Sequence, residues 1–225
     1  MTTINMVYPT TAMHGGVVSV TTDESKGDAF PDNLDTVMVD WPGTLTGQPM
    51  SDVSKRLEII RTSILSSDHM RYNCDELHLY ADSIVKCAPA NGSGSKQLRK
   101  AIVSSYKGTL STVSGSSFLQ GCTGLTSLTL PDTLSTVSGS SFLTGCTGLR
   151  TLVMPSELAN FNTAALLDKC NKTLTDLTLP MQTMQKSSVW STHLAAGATV
   201  RVPATLVQSY KADATWATFN LTAIA

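Results

Sequence analysis

Charge, aromatic rings and long apolar runs are all scarce in this chain. Of its 225 residues only 15% are charged, 16 Lys and Arg against 17 Asp and Glu for a net charge of −1, and 6% are aromatic. A balance so close to zero leaves no electrostatic footprint for DNA, RNA or anionic lipid, which argues against nucleic acid as a partner. No apolar stretch approaches the roughly 18 residues a bilayer-spanning helix needs, so membrane insertion is not expected. Met1 is followed by Thr-Thr-Ile-Asn, without a basic and then an apolar segment, so no signal peptide is expected in the chain as it stands.

Motifs of catalysis and metal binding are missing as well. The histidines, at 14, 69, 78 and 193, are scattered, and no His-Glu-x-x-His or carboxylate at ligand spacing accompanies them. The glycines at 15 and 16, and at 92 and 94, lack the strand-turn-helix setting and the Lys-Ser/Thr of a phosphate loop. No Gly-x-Ser-x-Gly elbow occurs; Ser114-Gly-Ser116 and Ser138-Gly-Ser140 are the same turn written twice, and a catalytic residue is rarely duplicated in this way. The expectation is a non-enzymatic protein with no metal and no cofactor.

What the chain does have is a repeat. Thr109–Leu125 (TLSTVSGSSFLQGCTGL) recurs at Thr133–Leu149 with one change, Gln120 to Thr144, 24 residues on. A period in the twenties is the signature of a solenoid, whose units bury their apolar faces only by stacking on their neighbours. Leu134, Val137, Phe142, Cys146, Leu149, Leu152, Met154 and Pro155 define one unit, and Leu158, Phe161, Leu166, Cys170, Leu174, Leu177, Leu179 and Pro180 the next. Leu98, Ala101 and Val103, then Cys74, Leu77 and Leu79, are more worn copies upstream, and Val200, Val202 and Pro203 read as a final strand. That gives about five to six coils between residues 70 and 203, above the three that stacking requires.

Within a coil, alternation points Leu128 and Leu130 inward and Thr129 to solvent, with Pro131 ending the strand. Stacked strands lie about 4.8 Å apart, so equivalent side chains should form core ladders: Phe118 over Phe142 over Leu166, Cys122 over Cys146 over Cys170, and Leu128, Leu152 and Leu177. Phe-Leu-x-Gly leaves room for one helical or 3₁₀ turn at most. The five cysteines are read as buried thiols, with Cys74 and Cys87 the only pair open to a disulfide, which leaves their redox state open.

These residues carry a resemblance. The pattern Pro-x-x-Leu-x-x-Val, a small residue before Phe, Cys four positions after it, then Leu-x-x-Leu-x-Leu-Pro, resembles the BspA-like leucine-rich repeat family, found mainly on bacterial surfaces. The tail from Val200 to Trp216, with its Val-Pro, Tyr-Lys and Trp, is similar to segments that close such arrays in gut bacteria and their mobile elements. The match covers residues 95 to 225, and 70 to 95 weakly. It implies binding or adhesion in an extracellular setting, on a virion or a bacterial cell surface.

The expected fold class is thus an α/β solenoid, a leucine-rich repeat array of coils of about 24 residues, each a short strand plus a turn or short helix. Residues 1–49 read as an extended arm with two short strands. Residues 50–69 read as a capping helix, since Val53, Leu57, Ile60 and Ile64 recur at helical spacing behind Ser51 or Asp52 as N-cap. The array then occupies 70–203, and residues 204–225, with Tyr210, Trp216 and Phe219, close the last coil. The exposed strand face supplies the candidate binding residues Thr126, Thr129, Arg150, Val153, Asp176, Thr178 and Arg201, a flat, Thr-rich, weakly charged surface suited to carbohydrate or a protein edge. Thr is also what a solvated strand favours. Two functions fit: a structural subunit of a phage particle, a decoration or fibre held by its arm to copies of itself or a scaffold, or an exported surface module that binds a glycan or host receptor.

Overall fold

A computed structural model describes the backbone of residues 3–7, 17–20, 34–40, 44–47, 54–62, 64–70, 74–89, 94–113, 117–138, 141–159 and 166–224, with side-chain environments for Arg56 and most, but not all, of the described residues after it. The chain winds as a parallel β-solenoid with two sheets. Strands β1 (Thr3–Val7), β3 (Leu34–Asp40), β5 (Ser54–Thr62), β7 (Cys74–Ala81), β9 (Lys100–Ser105), β11 (Ser127–Thr129), β13 (Thr151–Val153), β14 (Leu174–Thr178), β15 (Leu194–Val202) and β16 (Asn220–Ala223) form one sheet of ten in that order. The second sheet stacks β2 (Val17–Val20), β4 (Thr44–Gly47), β6 (Ile64–Met70), β8 (Ile84–Pro89), β10 (Thr112–Val113) and β12 (Thr136–Val137). Every pairing is parallel, and six successive coils place one strand in each sheet.

Two expectations are corrected here. Residues 51–66 do not form a capping helix: Ser54–Thr62 and Ile64–Met70 are β5 and β6, a full coil of the solenoid. The apolar spacing suits either structure, but Leu57 and Ile59 are the buried pair, a period of two, and they lie beside Leu77 and Leu79 of β7. Stacking on a preformed strand, together with the β-branched Ile59, Ile60, Thr62 and Ile64, outweighs helical periodicity. Residues 3–47 likewise are not an extended arm, because β1 and β3 continue the larger sheet and β2 and β4 the smaller. Four strands stand where two were expected. The supposed N-cap residues Ser51 and Asp52, as well as Val53, Phe161, the glycines at 15 and 16 and the turn 114–116, lie outside the described residues.

Helix is minor, which moves the class from α/β to an essentially all-β solenoid. Among the described residues it amounts to a turn at Ser187–Trp190, a helix at Val207–Ala212, and 3₁₀ turns at Ala204–Leu206 and Trp216–Thr218. The Phe-Leu segments are tight turns: Gln120 N–H donates to Ser117 O (3.1 Å) and Cys122 N–H to Leu119 O (3.2 Å). Gly121 and Gly145 take φ of 70° and 76° there, the left-handed region that glycine enters without strain.

The core runs along the axis as ladders. Leu57, Leu77, Ala101, Leu128, Leu152, Leu177 and Val200 are register partners on successive strands, and all are buried. The rings of Phe118 and Phe142 stack with centroids 4.6 Å apart at 23°, and Leu166 is buried in the following coil. Such a pair adds about 0.5–1.5 kcal/mol beyond its area burial. In the last coil Tyr210 and Trp216 are fully buried and fastened to the coil before: Gln185 N–H donates to the Tyr210 hydroxyl and Trp216 Nε1–H to Gln185 O, both 2.9 Å.

Candidate functional site

Parallel stacking in register turns a one-dimensional sequence into rows of side chains on the outer face of the ten-stranded sheet. One row reads Glu58, His78, Ile102, Thr129, Val153, Thr178 and Arg201; the row beside it reads Arg56, Glu76, Lys100, Ser127, Thr151, Asp176 and Thr199. Each strand contributes x-apolar-x, with the central residue buried and its neighbours outside.

Five of the seven candidate face residues belong to these rows. Thr129, Val153, Thr178 and Arg201 are direct register partners on β11, β13, β14 and β15, and Asp176 lies in the adjoining row. Val153 is 37% exposed, an apolar side chain among hydroxyls. The Arg201 guanidinium is ion-paired with Asp176, which ties β15 to β14 at the C-terminal end of the face. The other two, Thr126 and Arg150, sit just before their strands and serve the stacking itself. Thr126 Oγ1 donates to Arg99 O (2.8 Å), while Arg150 N–H and Thr151 N–H both donate to Thr126 O (2.9 and 3.0 Å). The Arg150 guanidinium folds onto the carbonyls of Thr147 (3.1 Å) and Leu149 (3.2 Å) instead of extending from the face.

At the other end of the face the structure assembles a polar network that the sequence reading did not single out. Arg56 Nη2 lies 3.0 Å from Glu76 and its Nη1 3.5 Å from Glu58. His78 sits between the same two carboxylates, Nε2 3.2 Å from Glu76 and Nδ1 3.8 Å from Glu58. Burial pushes the Glu76 carboxyl up, but attraction to Arg56 and Lys100 and hydrogen bonds from Arg56 and His78 outweigh it, so its pKa falls below the ordinary carboxylate value. The signal was present: Arg-Leu-Glu at 56–58 and Glu-Leu-His at 76–78 share one strand pattern 20 residues apart. Reading 51–66 as a helix hid it, because a helix would not set Arg56 and Glu58 on one sheet face.

The thiols and His193 face inward. Cys122, Cys146 and Cys170 stack in successive coils, and Cys146 and Cys170 each donate an S–H to the carbonyl of the Leu in the coil before, Leu119 (3.1 Å) and Leu143 (3.2 Å). Burial pushes the Cys74 and Cys122 thiols up to about 12, and raises those of Cys146 and Cys170. Cys74 and Cys87 are both buried, and no disulfide joins Cys74 to Cys87. His193 is buried, and that burial lowers its pKa against a hydrogen bond with the Cys170 backbone and attraction to Asp168. Among the described residues no three His, Cys, Asp or Glu are placed to hold a metal ion, and no helix is long and apolar enough to cross a membrane. Comparisons with protein-family models, curated proteins and solved structures give no match to this chain.

Proposed function

We propose that this chain is a non-enzymatic interaction protein, a rigid solenoid displayed outside the cell that engages an extended partner along the outer face of its ten-stranded sheet. One observation carries the reading: Thr129, Val153, Thr178 and Arg201 are a continuous in-register row of hydroxyl, aliphatic, hydroxyl and charged side chains, in which the apolar Val153 stays 37% exposed beside hydroxyls and the Asp176–Arg201 ion pair. A row of hydroxyl, aliphatic and charged groups at about 4.8 Å intervals offers hydrogen bonds and apolar contact to a chain lying across the strands. A glycan fits that mixture best, with a host-protein segment as the alternative. The likeness of the repeat to the BspA-like pattern supports an adhesive role on a bacterial surface.

The second reading is a phage decoration or fibre-type subunit. It is no longer supported by an anchoring arm, since residues 3–47 contribute strands to the solenoid, but the strands at the two ends of the larger sheet favour it by offering edges on which an assembly can grow. The deciding experiment is a glycan microarray followed by calorimetry with the best hit, using the parent, Val153→Lys, and Val85→Lys, which alters a residue 43% exposed on the other sheet. Loss of binding only in Val153→Lys supports the face. Equal binding by all three, or no glycan retained at all, would sink the glycan reading. Unchanged oligosaccharides after incubation are the expected result for a non-enzymatic module.

A further inference from the structure

Hydrogen bonding along a parallel ladder alternates, each residue directing both its N–H and its C=O to the same side of the strand. Ile224 N–H donates to Val202 O of β15 (2.9 Å), so two residues back Thr222, and then Asn220, also face β15. Leu221 and Ala223 therefore carry their N–H and C=O groups on the far edge of β16, which has no strand against it among the described residues. Asn220, Thr222 and Ala223 are exposed and Leu221 is half-buried. Lysine, proline and a register break, which commonly guard an edge, are absent from Asn-Leu-Thr-Ala, whose short length is its one protection. The bulky residues of the last coil do not cover it either, for Tyr210 and Trp216 are turned into the core and held by Gln185.

The opposite end of the same sheet finishes on β1, which among the described residues pairs only with β3, again in parallel. These two edges, unpaired among the described residues, run in the same direction and lie at opposite ends of one sheet. We infer that copies of this chain associate head to tail, with β1 of one copy adding in parallel beside β16 of the next. Translation along the solenoid axis by one molecule restores the strand spacing of about 4.8 Å and leaves a new β16 edge at the growing end. Because the two surfaces differ the contact is heterologous, and because successive copies are related by translation along the axis it does not close into a ring, so growth is linear. The partner is a second copy and not an arbitrary extended peptide, because the chain itself supplies the strand and its parallel direction. This inference rests on the edges and not on the strand-face reading, so Val153→Lys should assemble as the parent does.

The test is sedimentation velocity and light scattering on the full chain from micromolar to near-millimolar concentration, with negative-stain microscopy, for the parent and Ala223→Pro. Proline at 223 removes one outward N–H while leaving every hydrogen bond to β15 in place. The expected result is a weight-average mass that climbs with concentration without a plateau, thin end-to-end particles, and a return to the mass of one chain in Ala223→Pro with unchanged circular dichroism and melting temperature. Thr222→Lys, a charge beside the same edge, should weaken assembly several-fold and covers the case in which the proline variant fails to fold. A parent that stays monomeric throughout, a mass that stops at the dimer, or a folded Ala223→Pro that assembles as well as the parent overturns the inference.

Discussion

Replacing Gly124 by alanine should damage the solenoid far more than the size of a methyl group suggests. A Cβ built at Gly124 lies 2.1 Å from the carbonyl oxygen of Lys96 and 2.7 Å from its carbon, against an ordinary contact of at least 3.4 Å. The obstacle is backbone of the preceding coil, so no side chain can step aside, and the stack must open by more than an ångström. Overpacking of that kind costs about 1–3 kcal/mol or more, and the upper end applies because a rigid neighbour cannot relax. The gain from restricting the unfolded chain returns about 0.4–1 kcal/mol, leaving a net loss of about 2–3 kcal/mol. Gly197 is the control: its φ is +70° but nothing lies within 4 Å of the added Cβ. There the left-handed strain of about 1–2 kcal/mol is partly offset by the same unfolded-state gain, for a net loss of about 1 kcal/mol. Urea denaturation of Gly124→Ala, Gly197→Ala and the parent measures the difference. Hydrogen exchange adds the location, since amides between Arg99 and Thr129 should lose protection first in Gly124→Ala. If Gly124→Ala proves no less stable than Gly197→Ala, the coils are not in the backbone contact described.

Three more outcomes are expected. Phe142→Ala should cost about 3–5 kcal/mol, because it removes a fully buried ring stacked on Phe118, whereas Val153→Ala on the open face should stay within about 0.5 kcal/mol; comparable losses would mean that the ladder is not the core. At pH 8 a thiol reagent should leave Cys74, Cys122, Cys146 and Cys170 unmodified in the native protein and label them in urea, since burial keeps them protonated; fast native labelling of any of the four would contradict that burial. His193 is held neutral below its ordinary value of 6.5, so below about pH 6.5 the unfolded chain binds a proton that the folded one refuses. Stability should fall as pH drops through that region and level off below the folded pKa. His193→Gln, followed by denaturation at each pH, should flatten this part of the profile, and an unchanged slope would remove His193 from the account.

The sequence by itself determined the repeat, its 24-residue phase and the inward identity of Phe118, Phe142, Cys122, Cys146, Leu128 and Leu152, because near-identical copies allow a period to be read without any partner in view. It also determined the x-apolar-x strand and the hydroxyl character of the outer face. Where copies diverge, local pattern fails: Leu57, Ile60 and Ile64 suit a helix as well as a strand, and only contact with β7 separates the two. Tertiary structure alone decided that residues 3–70 are further coils, that Arg56, Glu58, Glu76 and His78 meet, and that Arg150 folds back onto carbonyls. For the coils and for the polar network the physical reason is the same. Strand pairing and the ion pairs across it join residues about 20 or more positions apart, and their energy belongs to the stack of coils, which no window of one coil's length contains.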